Sequence, residues 1–149
     1  MALKGKILVV DDIKENVLLL EALLKSEGFE VLKAYGGKEA IETAKKEKPA
    51  MILLDIMMPD MDGVQVCAVL RKSPDTASVP IIMVTAKDKD SDIVQSLETG
   101  ADDYIIKPVV KKDLFAKIDS LLSKSTAGEL PSQYYLKKNK TDDKNDTDK

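Results

Sequence analysis

The chain has 149 residues, 44% hydrophobic and 33% charged, with a formal net charge of −3, which fits one soluble domain with some chain to spare. That balance gives no reason to expect nucleic acid or an anionic membrane as a direct partner, no apolar stretch is long enough to cross a bilayer, and no signal segment opens the sequence. It contains no histidine and a single cysteine, Cys67, which excludes Ser-His-Asp and Cys-His catalytic sets, histidine zinc sites, an intrachain disulfide and any phosphohistidine carried on the chain, and makes the cytoplasm the expected compartment.

Read in order, short apolar runs alternate with helix-period segments. The run KILVV predicts a strand at 6–10, closed by Asp11 and Asp12. A helix is expected over 13–27, with Asp12-Ile13-Lys14-Glu15 reading as a capping box with Asp12 at the N-cap, and with Gly28 in the left-handed position after its end. A strand at 29–33 and a helix at 37–47 follow, and Pro49 precedes a third strand at 50–54 that hands over to Asp55. In DIMMPDMDG, Asp60 and Asp62 read as turn and N-cap residues without chemistry, ahead of a helix at 63–72. Strand 80–84 leads to Thr85-Ala86, helix 88–99 ends at Gly100, and strand 103–106 leads to Lys107-Pro108. The last helix, 111–123, carries Leu114, Ile118, Leu121 and Leu122 on one face.

Near-continuous Ile, Leu, Val and Met in the strands argues for burial on both faces. The expected fold is α/β and flavodoxin-like, a doubly wound (βα)5 unit with a five-stranded parallel sheet in the order 2-1-3-4-5 and helices on both faces. It should occupy residues 1–124. In 125–149 five lysines face five acids, and apolar residues are few, so this segment reads as a disordered tail or linker in which SQYYL is the one stretch suited to docking.

Parallel strands end on one edge of their sheet, so Asp11, Asp12, Asp55, Thr85 and Lys107 should converge there. Each alone has a plain explanation as a cap, loop end or strand residue. Together, three carboxylates, a hydroxyl and an ammonium suit a divalent cation and a phosphoryl group. Carboxylates crowded into one crevice repel unless a cation is present, Mg²⁺ favours a few carboxylate oxygens, and an aspartate can form an acyl phosphate. The bond between Lys107 and Pro108 is of the type that is sometimes cis, which would aim the lysine inward. Tyr104 is either an edge-strand aromatic or a side chain that reports the state of Thr85.

These motifs, Asp11-Asp12, Asp55 in LLDIMMPDMDG, Thr85-Ala86 in IIMVTA, and Tyr104 with Lys107-Pro108 in GADDYIIKP, together resemble the receiver domain of two-component response regulators over about residues 5–123. The resemblance implies that Asp55 is the phosphoacceptor and that Mg²⁺ (or Mn²⁺) is held by Asp12, Asp55 and the Met57 backbone carbonyl, with Asp11 helping directly or through water. It implies that Lys107 binds the phosphoryl group, that Thr85 and Tyr104 form the switch pair, and that Met57 and Lys87 tune the phosphoryl lifetime. The donor would be a sensor histidine kinase or phosphotransfer protein. Output would pass through the face at 88–123 to an effector protein, with a phosphorylation-dependent homodimer as one form of it. No effector domain follows residue 124, so the chain reads as a stand-alone regulator or as the receiver portion of a longer protein. Such a domain assists its own phosphorylation and dephosphorylation without being a stand-alone enzyme.

Three other readings compete. An aspartyl-phosphate phosphohydrolase needs a second acid two residues after the nucleophile, where this chain has Met57. A nucleotide or flavin binder needs a phosphate-cradling glycine loop, and Gly36-Gly37 is an isolated pair. A scaffold that kept the fold without switching would not need the full acid, hydroxyl and lysine set.

Overall fold

A computed structural model describes residues 5–86 and 90–126; the segment 125–149 expected to be a tail or linker lies almost wholly outside them, as does Lys87. The chain alternates β1 (Lys6–Val10), α1 (Lys14–Ser26), β2 (Glu30–Ala34), α2 (Gly37–Glu47), β3 (Met51–Asp55), α3 (Gly63–Lys72), β4 (Ile81–Thr85), α4 (Asp90–Thr99), β5 (Asp103–Ile106) and α5 (Lys111–Thr126). All strand pairs are parallel, in the order β2-β1-β3-β4-β5. This is the expected doubly wound topology.

Period-2 alternation divides the core into two layers. Leu8, Val10, Ile52, Leu54, Ile81 and Met83 face α2 and α3, meeting Ala40, Ala44, Val66, Cys67 and Leu70. Ile7, Val9, Met51, Leu53, Ile82 and Val84 face α1 and α5, meeting Val17, Leu20, Leu24, Leu114, Ile118 and Leu121. Every residue of β3 and β4 is buried, as a strand covered on both sides requires. Each large aliphatic side chain removed from water contributes on the order of 2 kcal/mol, so these central strands are the firmest part of the sheet.

Three strands start one residue later than the sequence suggests, for backbone reasons. The Phe29 amide donates to Leu24 O and so completes the end of α1, while Pro80 enters the ladder only through its carbonyl, which accepts from Ile52 N at 2.9 Å. The strands extend correspondingly to include Asp55 and Thr85, which pair with Val84 and Ile106. The last helix runs on to Thr126, since no glycine or proline interrupts the sequence before Gly128.

The start of α1 corrects one expectation. Its N-cap is Ile13, with no side-chain cap hydrogen bond, so Asp12 does not cap the helix. Asp11 Oδ1 accepts from the Ile13 amide at 2.9 Å, a side-chain turn that keeps residues 11–13 out of the helix and leaves Asp12 at the sheet edge. Asp62 does cap α3, in a reciprocal capping box with Gln65. Gly28 has φ 92°, the left-handed conformation expected after α1.

A second feature of the fold has no counterpart in the sequence reading. Arg71, at the end of α3, donates to Gly100 O at 2.9 Å, Val79 O at 2.7 Å, Ala77 O at 3.2 Å and Thr76 O at 3.3 Å. Its Nη2 lies 3.0 Å from Asp102 Oδ2, which also accepts from the Ile81 amide at 2.8 Å. One guanidinium therefore fixes the α3–β4 connection and the entry to β5. Burial pushes the Asp102 carboxyl up to about 6, against the pull of the Ile81 amide and Arg71. Its Oδ1 is buried with no hydrogen-bond partner among the described residues.

Candidate metal and phosphoryl site

The C-terminal edge of the sheet brings the predicted residues together. Asp11 leaves β1 and Asp55 ends β3, the neighbouring strand, and both are buried; Asp12 is the most exposed of the three acids. Each offers a carboxylate oxygen, and these atoms all lie within 4.8 Å of one another. Lys107 reaches in from the end of β5, with Nζ 3.0 Å from Asp11 Oδ2 and 3.7 Å from Asp55 Oδ1. The peptide bond after it, to Pro108, is cis.

Thr85 is buried at the end of β4, and its carbonyl accepts the Lys107 amide at 2.7 Å. Hydroxyl and ammonium are thus carried by directly bonded stretches of backbone. Tyr104 lies on β5 three residues before Lys107, opposite Met83 and not Thr85. Its half-buried ring has Lys117 Nζ 5.7 Å from the centroid, and the same ammonium pairs with Asp103 at 3.3 Å. Met57 follows in the β3–α3 loop with its side chain half exposed, and its amide donates to the Asp55 carboxylate.

Crowding sets the electrostatics. The Asp55 carboxyl is raised from 3.8 to about 6, first by desolvation and then by Asp11, with Asp12 adding to the rise; Lys107 and the Met57 amide oppose it. One ammonium does not offset burial together with two adjacent acids. The donor set is entirely hard oxygen, the chemistry of Mg²⁺ or Mn²⁺ rather than of zinc or copper. The residues present fit such a cation, which would be held by Asp11, Asp12 and Asp55. Asp55 faces both the other acids and Lys107.

Sequence reasoning missed what holds the β3–α3 loop. Asp60, expected to serve only its own turn, accepts from the Gly37 amide at 3.1 and 3.0 Å through its two oxygens, and from the Lys38 amide at 3.3 Å. The paired glycines were the available signal, since a Cβ on Gly37 would lie 2.6 Å from Met61 Cβ. Nothing local in DIMMPDMDG points to a partner 23 positions away. A groove with an accessible volume of about 410 Å³ opens beside the site, lined by Asn16, Leu19, Leu20, Lys107, Pro108 and Val109.

Residues 7–119 match the family described as response regulator receiver domain. The chain is 46% identical over 119 residues to the response regulator PleD of Caulobacter vibrioides, covering 80% of this chain and 26% of PleD. It is 44% identical over 120 residues to the alkaline phosphatase synthesis transcriptional regulatory protein PhoP of Bacillus subtilis, covering 80% of this chain and 49% of PhoP. It therefore spans about a quarter and about half of the lengths of these relatives. Among solved structures, a CheY-like receiver domain protein from Methanospirillum hungatei superposes with a TM-score of 0.79 at 34% identity, covering 86% of this chain and all of that one.

Proposed function

This chain belongs to the response regulator receiver domain family of two-component systems, and from that premise we propose that Asp55 is the phosphoacceptor of a signalling switch. The observation that carries this reading is the single cluster of Asp11, Asp12, Asp55 and Lys107, assembled from three strand ends. A family whose function is phosphorylation-dependent signalling needs such a cluster, and neither a phosphohydrolase nor an unswitched scaffold is favoured over it.

In the proposed reaction an Asp55 carboxylate oxygen attacks the phosphorus of a phosphohistidine on a separate kinase or phosphotransfer protein. The P–N bond breaks, the imidazole leaves, and an acyl phosphate remains on Asp55. A divalent cation held by Asp11, Asp12, Asp55 and the Met57 carbonyl would neutralise charge on the transferring group. Lys107 pairs with a phosphoryl oxygen and stabilises the added charge. The Thr85 hydroxyl then donates to another phosphoryl oxygen, and Tyr104 follows the vacated space, changing the face formed by α4, β5 and α5. A partner reads the change by binding the two forms differently, whether an effector protein or a second copy of the chain. Residues 1–124 would make up the receiver and 125–149 a tail or linker, in a cytoplasmic protein that is not a stand-alone enzyme.

Incubation with radiolabelled acetyl phosphate tests the assignment. Labelling should require Mg²⁺ and vanish in Asp55→Asn, with the circular dichroism spectrum unchanged. Labelling of that variant at the rate of the parent protein would sink the reading.

A further inference from the structure

Within the β3–α3 loop, residues 56–62, the structure assigns to Asp60 the role of a positioning residue: by clasping the first amides of α2 it holds the backbone that presents the Met57 carbonyl to the cation. This rests on the proposed cation site, and it adds a residue outside that site's ligands.

The loop has anchors on both sides of Met57. On one side the Ile56 amide donates to Val84 O at 3.3 Å, and Ile56 O accepts from the Gly63 amide at 2.8 Å. The second bond demands close approach, since a Cβ on Gly63 would collide with Asp55 O and lie 2.9 Å from Ile56 Cα. On the other side stands the Asp60 clasp, with bonds of 3.0 to 3.3 Å to Gly37 and Lys38. Between the anchors lie Met57, Met58 and Pro59; Met58 is buried in the layer facing α2 and α3, and Pro59 has a fixed φ. The peptide at Met57 therefore has little freedom while Asp60 is engaged.

Both partners are built for the clasp. The N-cap of α2 is Gly36, which has no side chain to satisfy the helix's first amides, so the acceptor must come from elsewhere. A carboxylate is well suited to that end of the helix, where amides and dipole both favour negative charge. A Cβ on Gly36 would lie 3.2 Å from Asp60 Oδ2, so side chains on the α2 side would crowd the carboxylate. The Gly37 amide, ahead of the other contacts, holds the Asp60 carboxyl below its ordinary value, so the clasp stays charged at neutral pH.

The test is a Mg²⁺ titration of the full chain followed by amide chemical shifts, in the parent protein, Asp60→Ala, Asp60→Asn and Asp12→Asn. Asp60→Ala should weaken Mg²⁺ binding on the order of tenfold, as loss of groups that orient metal ligands does. Asp60→Asn should recover most of the affinity, because its carboxamide oxygen still accepts from the helix amides. A simple effect of removing a negative charge near the cation would instead weaken both variants alike. By reciprocity, Mg²⁺ should slow hydrogen exchange at the Gly37 and Lys38 amides of the parent protein, a measurement that stands even if Asp60→Ala does not fold. Unchanged affinity in Asp60→Ala, equal loss in both Asp60 variants, or unaltered exchange at Gly37 and Lys38 would overturn the positioning role. Failure of the parent protein to bind Mg²⁺, or undiminished binding in Asp12→Asn, would overturn the cation site itself.

Discussion

Replacing Asp55 by asparagine should make the cation-free protein more stable, because the site is assembled against its own electrostatics. Asp55 is 4% exposed, and burial, Asp11 and Asp12 raise its carboxyl from 3.8 to about 6 despite Lys107. At the 4.8 Å limit enclosing the three acids, one like-charge pair repels by about 3.5 kcal/mol at an effective dielectric near 20. Lys107, 3.7 Å from Asp55, returns about 4.5 kcal/mol on the same scale, less than two acids and desolvation together. Taken together with burial, these charges raise the carboxyl by an amount that corresponds to a penalty of about 3 kcal/mol on the ionised form. Since the folded-state value lies above the unfolded one, the folded protein binds the proton more tightly. The penalty is absent below about pH 4, grows as pH rises, and is complete above about pH 6. Asparagine keeps the shape and carries no charge. Asp55→Asn is therefore expected to unfold with about 2–3 kcal/mol more free energy than the parent near pH 8 and with no advantage near pH 4. Urea unfolding in chelator, followed by circular dichroism, measures both, and an unchanged slope confirms that the same surface is exposed. An Asn variant no more stable near pH 8, or one whose advantage persists near pH 4, would refute the reasoning.

At the proposed cation site the same carboxyl would set the pH dependence of binding. Mg²⁺ binds the ionised form, so apparent affinity should climb with pH and level off above about 6, standing about tenfold below its plateau near pH 5; a flat profile across that range would count against a raised Asp55. Away from the site, Arg71→Ala should cost about 3–5 kcal/mol in denaturant unfolding, because it leaves Asp102 buried without its cation and four carbonyls without their donor. Arg71→Lys should recover little, since one ammonium cannot reproduce a planar fork that meets five acceptors. A loss below about 1 kcal/mol in Arg71→Ala would show that the network does not hold the connection.

The fold was legible because its strongest signals are local. The apolar runs of β3 and β4 are buried along their whole length, and the regular βα alternation leaves few ways to arrange five parallel strands. The site was legible for a related reason, since strand ends on a known edge place distant side chains together before any contact is known. What escaped were side-chain bonds to backbone groups, both the local one at the start of α1 and those that reach another element. Asp12 looked like a helix cap because Glu15 stands three residues on, but the Asp11 side chain had already taken the Ile13 amide. Asp60 looked like a turn residue because Asp and Pro favour turns, and its helix partner lies in another βα unit. The Arg71 network depends on carbonyls from residues 76, 77, 79 and 100, which no side-chain pattern encodes.

These hidden contacts explain how a self-repelling site stays ordered. The sheet beneath it is apolar and fully buried, so destabilisation at the edge is borne by strands that cannot easily shift. At that edge the β3–α3 loop is held by a polar clasp as well, Asp60 on the α2 side. Within that frame Lys107 divides one charge between Asp11 at 3.0 Å and Asp55 at 3.7 Å. A cation among the acids would relieve Asp11 of its need for the ammonium, and a phosphoryl group on Asp55 would add charge on the other side. Both changes pull Lys107 the same way. Because its amide is bonded to the Thr85 carbonyl at 2.7 Å, a rearrangement of Lys107 acts directly on the strand end that carries the hydroxyl. On the proposed reading, the site's frustration would be the source of its response: in a relaxed, neutral cluster neither ligand would have anything to relieve.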